Sequence, residues 1–225
     1  MELDRLYAAT RARIGATLRD VGPSADAVRV PSCPDWNVAQ LLAHLAGTTA
    51  ALANRDYPGP DLQAWVDGHV ADRAGRSALD NWQEWDDAGP AFEQLLVAKE
   101  HAFGALLYDA IVHEDDINAA LGRPATADPD GTTYALQRGL REVDHAARER
   151  GLGTLVATIG DDTVTLGEGE PEVCLTIVDR WEALRAFGSR RSLAQLEALG
   201  FVGDVAPWIQ ALPHDLPTTD LVEPR

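Results

Sequence analysis

Two helix-forming stretches carry ionisable residues at the edges of their apolar stripes, and such residues need partners wherever the helices pack. The first, residues 37–47, reads Asn-Val-Ala-Gln-Leu-Leu-Ala-His-Leu-Ala-Gly. Its start signal is complete. Asn37 suits the N-cap, Gln40 falls at N3 as in a capping box, and Trp36 and Leu41 are spaced for a hydrophobic staple. Val38, Leu41, Leu42, Leu45 and Leu52 form the apolar stripe. His44 lies at its edge, beside a flank of small residues, Gly47, Thr48 and Ala51. The second stretch, residues 106–117, continues a stripe of Phe103, Leu106, Leu107, Ala110, Ile117 and Leu121. It sets Asp109 and His113 four residues apart, one turn apart on one face. Two imidazoles and one carboxylate are the donor types of an open, water-binding metal site. In helical bundles such sites are built from side chains on facing helices. On spacing alone each residue also has an ordinary reading: His44 and His113 as boundary histidines satisfied by the core, and Asp109–His113 as an exposed helix pair.

The rest of the chain reads as a helical half followed by a smaller α+β part. A helix over 2–20 puts Leu3, Leu6, Tyr7, Ile14 and Leu18 on one side and ends at Gly22-Pro23. Residues 30–34, with Pro31 and Pro34, read as an extended loop. A helix is expected around 61–74, and residues 81–90 as a loop anchored by Trp82 and Trp85. From Pro90 to Leu121 the pattern is helical again, with a break expected near Gly104. Gly122-Arg123-Pro124 is a stop signal, residues 125–131 a linker, and 132–150 a further helix. The period then changes. Residues 154–159 and 163–166 flank Gly160-Asp161-Asp162 as a hairpin, and 173–178 is a third strand. Helices follow at about 179–187 and 192–199. The expected fold class is α+β: a helical bundle over 1–125, an α+β domain over 126–215, and a loose tail over 216–225.

Charge and cysteine usage narrow the function. With 19 Lys and Arg against 36 Asp and Glu, the net charge is −17. Such a surface repels phosphate backbones and anionic lipid, which argues against nucleic acid and membrane as partners. Cys33 and Cys174 are too far apart in sequence to read as a disulfide framework. With no basic, apolar leader at Met1 and no membrane-spanning stretch, a cytoplasmic location is expected.

Residues 30–47, Val-Pro-Ser-Cys-Pro-Asp-Trp-Asn-Val-Ala-Gln-Leu-Leu-Ala-His-Leu-Ala-Gly, resemble the Val-Pro-x-Cys-Pro-x-Trp-(Ser/Thr)-Val-x-x-Leu-x-x-His-Leu-x-Gly stretch of mycothiol-dependent maleylpyruvate isomerase-like proteins, within the DinB-like four-helix superfamily. Residues 107–117 are similar to that family's second motif, acid-x-x-x-His-x-x-Asp. Residues 184–211, with Gly188-Ser189-Arg190-Arg191-Ser192, resemble the end of its C-terminal domain. The resemblance implies a DinB-like bundle and a divalent metal, usually zinc, held by His44, Asp109 and His113. It implies mycothiol as a thiol cosubstrate, which the metal activates as thiolate for attack on a small electrophilic substrate. The activity implied is that of an isomerase or S-transferase. The alternative is a non-catalytic module that binds a metal or small ligand on the same bundle. A small-molecule substrate and the thiol are the expected partners, in a monomer or homodimer.

The chain departs from the pattern at two helix positions. Asp109 stands where the isomerase carries Glu, one methylene longer. Asn37 replaces Ser or Thr as cap, a neutral exchange. Arg190 and Arg191 are the candidates for the family's substrate-binding arginine; the plain reading of such a pair is a solvated helix start. Asp116, three residues after His113, reads either as a carboxylate orienting that ring or as an exposed member of the run Glu114-Asp115-Asp116. Cys33 has no base near it in sequence and reads as loop packing. Trp36 reads as a helix staple, and His69 as a surface or boundary residue.

Overall fold

The computed structural model describes residues 2–224. The described residues form two compact units: residues 2–127 with residues 223–224, and Asp128–Val222.

In the first unit, α1 (Leu3–Val21) leads through one 3-10 turn into a short ribbon, β1 (Arg29–Val30) and β2 (Cys33–Asn37). The stretch expected as an extended loop is therefore a two-stranded antiparallel pair, with Arg29 opposite Asn37 and Val30 opposite Cys33. Pro31 and Ser32 sit in the turn between the strands, where a missing backbone donor is harmless. The ribbon delivers the chain into α2 (Val38–Ala53) through the expected capping box. The Asn37 side chain accepts from the Gln40 backbone N–H, and the Gln40 side chain accepts from the Asn37 N–H. After α2 come α3 (Leu62–Asp72), α4 (Ala78–Ala98) and α5 (Glu100–Ala120).

Helix α4 corrects the expectation of a loop over 81–90. It runs unbroken through Pro90, because one face carries Ala78, Trp82, Trp85, Gly89, Phe92 and Leu96, all buried. That spacing of three and four residues packs a continuous stripe against the bundle. It offsets the cost of proline inside a helix, about 3 kcal/mol. Gly89 is there for a specific reason: an added Cβ would lie 2.2 Å from Nη1 of Arg11. The Arg11 guanidinium is pinned at that spot by Asp86 (2.9 Å) and Glu93 (2.7 Å), one turn either side of Gly89. Trp82 donates from Nε1 to the Arg11 carbonyl and lies over Gly15 of α1. Trp85 donates to the Tyr7 hydroxyl, which in turn meets Thr49 of α2. A single chain of hydrogen bonds thus ties α4, α1 and α2. The helix break expected near Gly104 falls instead at Lys99, which leaves the helical region at φ −147°, ψ 59°. Gly104 stays inside α5.

Glu84 joins α4 to the end of α3, accepting from Arg73 and Arg76. The Arg73 hydrogen bond, helped by Arg76 and opposed by burial, holds the Glu84 pKa below the usual glutamate value. A lowered folded pKa means stabilisation that is complete above the unfolded value and lost as pH falls through the folded one. Glu84→Gln is expected to cost about 1–3 kcal/mol near neutral pH. Urea unfolding at neutral and acid pH checks this: the gap between wild type and variant should close on acidification.

The second unit opens with α6 (Pro129–Glu149), whose Asp128 cap accepts from the Gly131 N–H. A three-stranded sheet follows: β3 (Thr154–Ile159), β4 (Asp162–Gly167) and β5 (Pro171–Ile177), in the order β4-β3-β5. The hairpin β3–β4 is antiparallel, and β5 runs parallel to β3 along its other edge. Short helices α7 (Arg180–Phe187), α8 (Leu193–Glu197) and α9 (Ala206–Ile209) complete the unit. The expected loose tail is tied down at two residues. Leu221 is buried and exchanges two hydrogen bonds with the Gln195 side chain, while Asp220 bonds Ser192 Oγ. The architecture is α+β, a helical N-terminal bundle and a small mixed sheet, as the period change at residue 154 predicts.

Candidate metal centre

Helices α2 and α5 bring His44, Asp109 and His113 together. Nε2 of His44 lies 2.8 Å from Oδ2 of Asp109, and Nε2 of His113 lies 3.2 Å from Oδ1 of the same carboxylate. The imidazole rings meet edge to face, with centroids 5.7 Å apart. One ligand atom from each residue falls within 4.8 Å of the others. His44 and His113 are buried, whereas the Asp109 side chain keeps 30% of its surface exposed. Of the three side chains, that of Asp109 is the one most exposed to solvent.

The electrostatics follow from the geometry. Withdrawal from water would raise the Asp109 pKa, but the two histidines outweigh it and hold the carboxyl well below its usual range. Burial would lower His113; the Asp109 charge and the hydrogen bonds to Asp109, Asp116 and Cys33 reverse this and hold it well above the usual histidine value.

Both ring nitrogens of His113 have acidic neighbours. Nδ1 lies 2.8 Å from Oδ2 of Asp116, which is completely buried. The exposed reading of the acidic run is thereby corrected. Glu114 takes both arms of the Arg13 guanidinium at 2.7 Å, and Asp115 accepts from the Thr126 N–H. Each carboxylate is buried against a donor rather than facing water.

His44 is steadied differently. Its Nδ1 is buried without a hydrogen-bond partner, and the Trp36 ring lies across it at 5.2 Å and 32°. Packing under an indole, rather than a second hydrogen bond, fixes that imidazole. Trp36 also lines a groove of about 600 Å³ with Asn37, Gln40, Asp67, Arg73 and Arg76, so the wall of the groove reaches the ring of His44. His69, read from sequence as surface or boundary, is half-buried over Gly47, one turn from His44, with Nε2 enclosed.

The donor set fits a divalent cation. It offers two imidazole nitrogens and a carboxylate oxygen, with a carboxylate behind one imidazole to fix its tautomer.

Arg190 and Arg191 lie in the second unit, and the solvated reading of the pair is corrected: both are 5% exposed. Arg191 grips Glu182 with Nε and Nη2 at 2.6 and 2.7 Å, and Arg190 donates to the Gly188 carbonyl. Sequence reasoning missed two neighbours of the cluster, Trp36 over His44 and Cys33 beside His113. Both belong to the same short motif as His44, which is the signal that could have found them.

The comparisons agree with this architecture. Residues 7–55 match the family described as the mycothiol maleylpyruvate isomerase N-terminal domain. No protein of curated function matches the chain by sequence. Among solved structures, the crystal structure of the mycothiol-dependent maleylpyruvate isomerase is similar at a TM-score of 0.60 and 16% identity, covering 84% of this chain and 87% of that one. A histidine-to-alanine mutant of the isomerase gives the same TM-score and coverage at 15% identity. No described helix is long and apolar enough to cross a membrane. The chain is thus similar to that N-terminal domain over residues 7–55 and shares the fold of the isomerase over most of its length.

Proposed function

We propose that the protein is a divalent-metal enzyme, with zinc the natural choice for this donor set, that uses a low-molecular-weight thiol, mycothiol, to isomerise or conjugate a small electrophilic acid. The observation that carries this reading is the His44–Asp109–His113 cluster with Asp116 behind it. A cation held there supplies a Lewis acid with an open position, which deprotonates a coordinating thiol. The remaining parts are played by the chain. Nε2 of His44 and Nε2 of His113 face the same carboxylate, so all three side chains converge on one point. Asp116 accepts the Nδ1 proton of His113 and leaves Nε2 free to bind. Trp36 holds His44 in orientation and excludes water from its buried face. The groove lined in part by Trp36 has room for a thiol cosubstrate. Arg191 has a structural part here, since Glu182 already occupies its guanidinium.

The test is turnover by the full chain supplied with zinc and mycothiol, on maleylpyruvate and other cis-unsaturated acids. The expected result is activity that needs both additions. Asp116→Asn should lower it by about 10–100-fold through its hold on His113. Turnover without any thiol, or full activity in His113→Ala, would contradict the reading.

A further inference from the structure

His113 offers donors along both edges of its ring. The Nε2 edge faces Asp109 and His44; the Nδ1 edge faces Asp116. Cys33, on β2, lies at His113 as well. One ligand atom each from Cys33, His113 and Asp116 falls within 4.8 Å of the other two, a second set that shares only His113 with the first. Burial differs along this set. His113 and Asp116 are enclosed, whereas Cys33 is partly exposed and free of any disulfide.

We propose that Cys33 Sγ, the Nδ1 edge of His113 and the Asp116 carboxylate form a second metal position, selective for thiophilic cations. Sulfur, imidazole and carboxylate together suit zinc, and thiolate favours softer ions such as cadmium or copper(I) over magnesium or calcium. Entry is from the thiol side, since Cys33 alone of the three reaches solvent. The short β1–β2 turn, with Pro31 and Pro34 flanking Cys33, fixes the thiol against α5 before any ion arrives. Binding displaces the thiol proton and the proton shared by His113 and Asp116. A cation seated there removes the carboxylate that orients His113 toward the first set, so it acts as an inhibitor of the neighbouring centre. Cation binding at the second position does not depend on the proposed reaction, because two of its three ligands, Cys33 and Asp116, lie outside the His44–Asp109–His113 set, whereas the inhibition rests on that reading.

Cadmium is the probe, added to the full chain, with and without one equivalent of zinc, while thiolate-to-cadmium charge-transfer absorption is followed. The expected band corresponds to one thiolate per chain. It should persist in Cys174→Ser and in His44→Ala, and vanish in Cys33→Ser. Asp116→Asn, which keeps the shape of the side chain, should weaken cadmium binding by about tenfold or more. Far-ultraviolet circular dichroism establishes that each variant is folded. No band in the wild type, a band that survives Cys33→Ser, or cadmium affinity unchanged in Asp116→Asn would overturn the proposal; the last outcome would reduce Cys33 to a simple surface thiol. Persistence of the band in His44→Ala separates this position from the first centre. Loss there would mean that cadmium binds across one merged site, which also contradicts it.

Discussion

His113→Ala is expected to weaken zinc binding by more than about a hundredfold, since even an outer partner of a metal-bound histidine is worth about 10–100-fold. The residue contributes more than one donor. Its ring closes the cluster against Asp109 at 3.2 Å and transmits the hold of Asp116. His44→Ala should produce a loss of similar size, because two donors are too few for a tight zinc site. His69→Ala is the informative control. It removes a histidine half-buried over Gly47, one turn from His44, but outside the set of converging ligand atoms. Competition with a chromophoric chelator measures all three. Equal zinc affinity in wild type and His113→Ala would remove the basis of the assignment.

The second large effect is on stability. Trp85 is completely buried, packs edge-on against Tyr7 at 5.9 Å, and donates to its hydroxyl at 2.7 Å. Trp85→Ala is expected to cost about 3–5 kcal/mol from lost burial and the cavity left behind. Trp85→Phe keeps most of the apolar surface and should lose much less, with about 1 kcal/mol of it from the missing hydrogen bond. Because Tyr7 links Trp85 to Thr49 of α2, the damage falls on the helix that carries His44. Chemical unfolding midpoints check the pair. A loss below about 1.5 kcal/mol for Trp85→Ala would mean that the site collapses around the missing ring, against the tight packing argued for α4.

The parts legible in the sequence are those whose cause is local. Helix α2 begins where Asn37 and Gln40 say it should, because a capping box involves four neighbouring residues. The hairpin β3–β4 turns at Gly160, which takes the positive φ of 59° that the turn needs. Helix α4 was hidden because its local signals point the wrong way. Asp86-Asp87-Ala88-Gly89-Pro90 resembles a turn, and only the Arg11 guanidinium over Gly89, brought by another helix, explains the glycine. The β1–β2 ribbon escaped for the opposite reason: its strands are too short to show a period of two. The site divides in the same way. The four-residue spacing of Asp109 and His113 is visible on paper. The contact between His44 and Asp109 joins residues 65 apart and depends on which helices face one another. Cys33 beside His113 depends on where the ribbon lies against α5, which no periodicity reveals.

X-ray absorption at the zinc edge, on full-length protein loaded with one equivalent of zinc and no thiol, tests the central claim most directly. The account predicts one bound zinc per chain, with a first shell of nitrogen and oxygen only and the multiple scattering of two imidazoles, lost together in the His44→Ala/His113→Ala double variant. A chain that retains no zinc, or a first shell containing sulfur at this stoichiometry, would contradict it.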